Sequence, residues 1–383
     1  MVLKEFKIRS YECQFDRAQV EDLERRCKVG PSESVLDTMG DPMCRIRNCP
    51  TYIMLVAEMD NELVGVIQGS IKTVTLHNHH PNKDMAKVGY VLGLRVSPHN
   101  RKKGIGSSLV QKLEEWFTSN DVDYAYMATE KENHASINLF MNKFSYIKFR
   151  TPSILINPVN HHPFGISSNI EIARIKVEKA ESLYRGFMGA STEFFPSDIE
   201  NILTNNLSLG TWVAYFKGDS GFGNLEGKVP NSWAMLSVWN CGEIFKLRLG
   251  KTPLSCMLFT KSLSLIDRIF PCLKLPTLPN FFSPFGFYFI YGVYQEGPFS
   301  GKLVRALCKF VHNMASKTEH CKIIVTEVGE RDHELIHHVP HWKLFSCPDL
   351  WCIKALKKNG RTNRFHELTN TPPRGLFVDP REV

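Results

Sequence analysis

Long apolar runs are missing from this chain. A membrane-spanning helix needs about 20 consecutive, mostly apolar residues. The nearest contender, Phe281 to Tyr294, is broken by Ser283, Pro284, Gly286 and Gly292. It reads as a buried strand, and no membrane partner is expected. The opening MVLKEFKIRS has no long apolar segment either, so no secretory signal is expected there. Close cysteine pairs are also absent. The 11 cysteines are scattered from Cys13 to Cys352 without a CxxC, which suits free thiols in a reducing compartment better than a disulfide framework. Cys44 and Cys49 lie near each other, but no second pair follows at zinc-like spacing. The clusters His77/His79/His80, His161/His162 and His337/His338/His341 read as solvated loop residues, so no metal is expected. No run of five Lys or Arg occurs. The net charge of +8, from 47 basic and 39 acidic residues, is compatible with an acidic cofactor and does not call for sequence-specific nucleic-acid binding. KKNGRTNR, Lys357 to Arg364, reads as a solvated tail.

The elements alternate in the manner of an α/β protein. A short strand at Phe6–Tyr11 precedes an amphipathic helix at Arg17–Cys27, with Asp16 as its expected N-cap and Gly30 as its stop. Thr51–Met59 and Leu63–Leu76 read as a hairpin about Asp60-Asn61. Strand Val88–Val96 ends at Ser97-Pro98, and a helix starts near Ile105 with Leu109, Leu113, Trp116 and Phe117 on its apolar stripe. Asp123–Thr129 is a strand, His134–Lys143 a short helix, and Tyr146–Ile156 a strand containing Pro152. Asn157–Asn169, rich in Pro, Gly, Ser and His, marks a boundary. Residues 1–157 are therefore expected to form one domain, 158–169 a linker, 170–358 a second domain and 359–383 a tail. The second stretch partly repeats the first. Leu303-Val304 with Leu307 matches Leu109-Val110 with Leu113, and IIVTE, ending at Glu327, matches YMATE, ending at Glu130.

The informative motif is Arg101-Lys102-Lys103-Gly104-Ile105-Gly106, an R-x-x-G-x-G between a strand and a helix. Backbone N–H groups at a helix start lack intrahelical acceptors, and the helix dipole adds positive charge there. Gly104 and Gly106 let an anion approach the backbone. Arg101, Lys102 and Lys103 add full charges. The pattern lacks the terminal Lys-Ser/Thr of the P-loop and the third glycine of the dinucleotide motif.

Residues 88–150 resemble the core of the GNAT superfamily of N-acetyltransferases. The match comprises VGYVLGLRV, the R-x-x-G-x-G turn with its helix, YAYMATE, and NHASINLFMNKFSYIKF. In the last of these, Asn133, Ala135, Leu139 and Lys143 fall on the family's expected positions. NSWAMLSVWNC, HWKLFSCPDLWCIK and FVDPREV further resemble the plant hookless-type subgroup. The resemblance implies a mixed, splayed central sheet holding acetyl-coenzyme A as co-substrate. Its pantetheine arm would pair with Leu94, Arg95 and Val96. Its pyrophosphate would sit on the turn from Arg101 to Ser107, which spans Lys102, Lys103, Gly104, Ile105 and Gly106. Asn133, Asn138 and Phe140 would flank it. An amine would attack the thioester directly. Glu130, at the end of its strand, is the first candidate for the base, and Tyr90 the second. The family's usual Tyr acid is Phe140 here, and its following glycine is Ser145. That departure leaves two readings open: an enzyme whose thiolate leaves unassisted or through water, and a coenzyme-sensing regulator acting through partners.

The second half has the turn QEGPFSGK, without Arg and without the G-x-G spacing, and Pro298 removes an amide donor. A degenerate copy that binds no acetyl-coenzyme A, but forms a partner or homo-oligomer surface, is expected there. Trp233, Trp239, Trp342 and Trp351 read as core. PPRGLFVDPREV is either a strap anchored by Leu376-Phe377-Val378 or disordered. The resemblance also implies a protein substrate, with histone lysine as a candidate, a nuclear location, and a role in transcription and plant growth.

Overall fold

The computed structural model describes residues 5–27, 36–76, 84–218, 230–249, 281, 283–343, 345–357, 362–370 and 375–383. The His77/His79/His80 cluster, Gly30 and residues 358–361 of the Lys357–Arg364 stretch lie outside them.

The first half begins with β1 (Lys7–Ser10), helix α1 (Cys13–Arg26), β2 (Leu36–Gly40), β3 (Thr51–Met59), β4 (Glu62–Leu76) and β5 (Asp84–Val96). Helix α2 (Ile105–Ser119), β6 (Tyr124–Glu130), β7 (Ile147–Arg150) and β8 (Ser153–Pro158) follow. The second half contributes β9 (Ile170–Ile175), β10 (Thr192–Glu193), β11 (Phe195–Pro196), β12 (Ser208–Phe216), β13 (Trp233–Asn240) and β14 (Phe245–Leu249). It ends with β15 (Gly286–Glu296), β16 (Cys321–Val328), β17 (Cys347–Ala355) and β18 (Gly375–Leu376). A helix at Ser300–Ala315 joins β15 to β16 as α2 joins β5 to β6.

Several local expectations change for physical reasons. Helix α1 starts four residues earlier than its periodicity suggests, with Glu12 at the N-cap. Asp16 sits inside the first turn, almost fully buried, accepting from both Nη atoms of Arg9 at 2.7 and 2.8 Å and from the Glu12 amide. The helix at His134 is α only to Ile137 and continues as a π-helical turn, Asn138–Lys143. The Asp60-Asn61 turn is as expected, with both residues left-handed at φ 53° and 62°.

One sheet of 14 strands runs through both halves, with its main path β1-β3-β4-β5-β6-β17-β8-β16-β15-β13-β12-β9. The same unit occurs twice: an antiparallel set leads to a parallel pair, β5 with β6 and β15 with β16, joined by a helix packed on one face. The closing strands cross over. Tyr146–Ile156 is not one strand, because Pro152 divides it. β7 stays with the first half, whereas β8 pairs antiparallel with β16 of the second. β17 returns from the second half and lies between β6 on one side and the β7–β8 segment on the other. The sheet therefore does not part at residue 157. Each half is completed by a strand from beyond the proposed linker. The linker itself is docked: Asn160 donates to His312 Nε2, and Phe164 exchanges hydrogen bonds with Asn313 on the helix Ser300–Ala315.

The segment 375–383 is a docked strap. β18 pairs in parallel with β10, and Phe377 is buried. Beyond it, Glu382 accepts from Lys72 Nζ at 2.6 Å and from the Tyr126 hydroxyl at 2.6 Å. Arg381 bonds Asp379 and, through both Nη atoms, Asp198. Lys72 belongs to β4 of the first half and Asp198 to the second, so one buried ionic network fastens both. Trp233, Trp239 and Trp351 are core residues, and Trp342 is half-buried. Breaking a buried pair strands a charge at a cost of about 3–5 kcal/mol. Lys72→Met is expected to lose stability of that order in urea denaturation, because Glu382 keeps no cation. Lys72→Met with Glu382→Leu should recover most of it.

Candidate active site

The strands β5 and β6 are in parallel register from Val88 with Tyr124 to Val91 with Met127, and no further. Beyond that point they splay. The cause on the β5 side is a bulge at Gly93, whose φ of +64° is left-handed, a conformation that suits glycine. A Cβ there would press on Gln68, the residue behind it. The register of β4 on β5 slips at the same place. The gap is a cavity of about 320 Å³, walled by Tyr90 to Arg95 of β5 and Met127 to Glu130 of β6.

At the cleft's lower end, Val96 leads through a short 3-10 turn to Arg101 and the glycine turn. Gly104 caps α2 at φ +87°, and Lys102 is left-handed at φ 62°. Left-handed residues alternating with ordinary ones turn successive N–H groups toward one concavity, an anion nest. Open space surrounds Gly104, and no atom lies closer than 3.5 Å to a Cβ built on Gly106. Arg101 Nε donates to the Val96 carbonyl at 3.3 Å, and Lys103 to Asn100. Ser107 and Ile105 open the helix, where Lys143 Nζ donates to the Ser107 hydroxyl at 2.8 Å. These residues fit a pyrophosphate: free amides, flanking cations, and no side chain in the way.

Asn133, Glu130 and Phe140 line the same cavity as Leu94 and Arg95. Asn133 caps the helical turn at His134 by accepting from the Ser136 amide, and its Nδ2 donates to Thr129. Phe140 is 2% exposed and packs edge-on against Tyr146. Asn138 does not line the cavity; its Oδ1 accepts from Asn142 Nδ2. Val96 and the turn residues flank the cavity rather than wall it. Tyr90 stacks on Tyr126 at 4.8 Å. Burial pushes its phenol well above the ordinary range, so it keeps its proton at neutral pH and serves as a donor rather than as a base.

The crossing strand adds groups absent from the expected set. Asp349 of β17 stands directly opposite Glu130. Burial, and then the nearby Glu130 charge, raise its carboxyl to about 6, although the Leu350 amide bonds it. Glu327, at the end of β16, accepts from Trp351 Nε1 at 3.1 Å. Burial and then Asp349 raise it to about 8. Glu130, Asp349 and Glu327 thus form a row of carboxylates along the middle of the sheet. Asp349 lies within HWKLFSCPDLWCIK, a segment whose distinctiveness was its only signal, because strand pattern alone does not reveal which sheet it joins.

The second half repeats the cleft with different chemistry. Gly292 forms the matching bulge at φ +60°, and a cavity of about 390 Å³ opens between β15 and β16. Its walls carry Glu327, Asp332 and Glu334, and part of the strap closes it. The turn below it has Phe299 left-handed at φ 62° where the first cleft has glycine. Among the described residues no three His, Cys, Asp or Glu side chains converge as metal ligands, and no helix is long and apolar enough to cross a membrane.

Comparison with known proteins agrees with this geometry. The model of the Acetyltransferase (GNAT) family matches residues 17–146. The probable N-acetyltransferase HLS1 of Arabidopsis thaliana is 45% identical over 402 residues, covering 98% of this chain and 99% of that protein. The acetyl transferase GW6a of Oryza sativa subsp. japonica is 33% identical over 419 residues, covering 98% and 97%. Among solved structures, N-myristoyltransferase of Saccharomyces cerevisiae with bound myristoyl-CoA superposes with a TM-score of 0.56 at 9% identity, covering 91% of this chain and 79% of that one. That likeness supports the fold alone. The splayed strands, the glycine turn and relatives alike over nearly their full length lead to one conclusion: the chain belongs to the GNAT acetyltransferase family, in its hookless-type branch.

Proposed function

We propose that the protein transfers an acetyl group from acetyl-coenzyme A to an amine of a protein substrate, with histone lysine as the candidate acceptor. The observation that carries this reading is the cleft that opens between β5 and β6 immediately above the Arg101–Ser107 turn. In this reading the turn holds the pyrophosphate, and the edge of β5 at Leu94, Arg95 and Val96 pairs with the pantetheine arm. A backbone N–H near Leu94 polarises the thioester carbonyl. The amine nitrogen attacks the carbonyl carbon, the carbon–sulfur bond breaks, and the proton lost by the ammonium passes to Glu130 through water. Asp349 holds a second proton-binding group across the strand from it. Family resemblance supports a nuclear location and a role in transcription and plant growth.

A second reading is favoured by one observation. Phe140 is buried where the family's usual acid would stand, and it offers no proton. A protein that binds acetyl-coenzyme A and signals through partners needs no acid there. The two readings separate on Glu130→Gln. An enzyme should lose about 10²–10⁴-fold in kcat with coenzyme binding retained, measured as thiol release with a histone peptide mixture. A sensor should keep its partner binding in that variant.

Calorimetric titration of acetyl-coenzyme A tests the cleft itself. Gly106→Trp fills the approach to the turn and should weaken binding by two decades or more, about 3 kcal/mol. Full affinity in a folded Gly106→Trp protein would remove the turn from the binding site.

The raised carboxyl of Asp349 also makes stability depend on pH. A carboxyl raised from the usual 3.8 to about 6 binds its proton more tightly in the folded state. Stability is therefore lost as pH rises from about 4 through 6. Asp349→Asn should be no more stable than the parent at pH 4 and up to about 3 kcal/mol more stable at pH 8, read from urea denaturation at both pH values. An equal difference at both would assign the effect to packing.

A further inference from the structure

The face of the cleft opposite α2 carries a second set of charges. Side chains of β5 alternate: Val91, Leu94 and Val96 join the core beneath α2, whereas Tyr90 and Leu92 belong to the opposite core, with α1. Arg95 follows the second pattern, since its electrostatic neighbours are Glu24 and Cys27 of the α1 segment and Arg45. Arg45 comes from the loop 41–49, which ends against the same face and lines the same cavity.

That loop is held firmly. Ile46 and Cys44 are buried, Asp41 Oδ1 accepts from the Met43 amide, and the buried Gln68 donates to the Pro42 carbonyl at 2.8 Å. Arg47 is paired with Asp41. Arg45 has no ion pair among the described residues, and its Nε is buried without a hydrogen-bond partner. Arg95 spends one Nη on the carbonyl of its own neighbour, Leu94, at 2.9 Å. Among the described residues no carboxylate lies within ion-pair distance of either guanidinium. Glu24 faces both, but burial raises its carboxyl toward the neutral form more than the two arginines lower it.

Two guanidinium groups of like charge lining one cavity, with no carboxylate among the described residues in ion-pair reach, are costly to fold. Their planar forks match carboxylate and phosphate oxygens. Neither group belongs to the glycine turn, which supplies its own cations for the coenzyme's pyrophosphate. We propose that Arg45 and Arg95 form an anion subsite on the acceptor side of the cleft, and that the acceptor is a lysine flanked by an acidic residue, either a carboxylate or a phosphorylated side chain. This rests on the acetyl-transfer reading above and narrows its substrate class. Lysines in purely basic surroundings fit it poorly.

The test uses the full chain and three lysine peptides that differ only in the neighbouring residue: Glu, phosphoserine or Ala. Thiol release from acetyl-coenzyme A and calorimetric binding to the coenzyme A-loaded protein are both measured. The wild type should favour Glu or phosphoserine over Ala by at least about tenfold in kcat/KM, carried by KM, and in Kd. Arg45→Gln should collapse that ratio toward one, and Arg45→Lys should restore part of it. The acetyl-coenzyme A isotherm of each Arg45 variant serves as the check on folding. Whichever of Glu and phosphoserine is preferred identifies the anion. Equal binding of all three peptides by wild type, or a ratio unchanged in Arg45→Gln, overturns the subsite. So does an Arg45-dependent preference for succinyl- over acetyl-coenzyme A, which would put the anion on the acyl donor. Selective peptide binding without thiol release would leave the subsite standing and overturn the transferase reading.

Discussion

The position of β17 is the constraint on which the rest depends. By pairing with β6 along Asp349–Ala355, it takes the place beside β6 that a strand local in sequence would occupy, and it leaves β8 to complete the second half. Neither half then closes its sheet from its own segment, so the chain folds around long-range pairings, which are slow to form because loop closure precedes their reward. The same pairing builds the chemistry. It sets Asp349 against Glu130, and it brings the Trp351 indole onto Glu327. A carboxylate from each half therefore meets a third on the crossing strand, between the two cavities.

The two cavities share a backbone and differ in charge. Both open behind a left-handed glycine bulge and beside a parallel strand pair. The first is lined by Arg45 and Arg95 together with Glu130 and Glu132 and lies above the basic turn, the second by Glu327, Asp332 and Glu334 with a single cation, Arg331. Nothing in the strand geometry requires this division; the side chains impose it. Cations lie on the turn where phosphates would sit, whereas the matching turn of the other half has Phe299 in place of the capping glycine. The strap contributes to the second cavity through Leu376 and Val378. It reaches the first only indirectly, through Glu382 under Tyr126, which in turn carries the Tyr90 ring. Tyr90 is thus supported from behind by a buried ionic network rather than by apolar packing alone.

Local features of this fold were legible in the sequence because they are local in cause. The Asp60-Asn61 hairpin, the stripe of α2 and the glycine turn rest on residues within a few positions of one another. The strand exchange was not legible, since Tyr146–Ile156 and Cys347–Ala355 have the same short-range pattern in either sheet; Pro152 was the one mark of the break. Asp16 illustrates the same limit at smaller scale. Its identity suits an N-cap, but the half-buried Arg9 from the preceding strand draws it inside the helix. Of the residues that line the cleft, Tyr90, Leu94, Arg95, Glu130, Asn133 and Phe140 were anticipated through the family resemblance. Arg45, Asp349 and Glu327 were not among the candidates, because each is brought to the centre by a loop or strand distant in sequence.

The replacement of the usual acid by Phe140 acquires a physical meaning in this setting. A tyrosine there would need a partner for its hydroxyl beside that of Tyr146, which is already buried against Glu114. Phe140 instead fills the wall beside Leu94 as an apolar surface against Tyr146. The donor that the cleft does offer is Tyr90, on the other face, whose burial keeps it protonated. The cost of that substitution falls on the leaving thiolate alone, and a coenzyme A thiol departs near neutral pH with modest help. In the acetyl-transfer reading, the attacking amine, which must lose a proton, would meet the carboxylates of Glu130 and Asp349. On that reading, the fold keeps its proton acceptors where the chemistry is most demanding and gives up a donor where the demand is least.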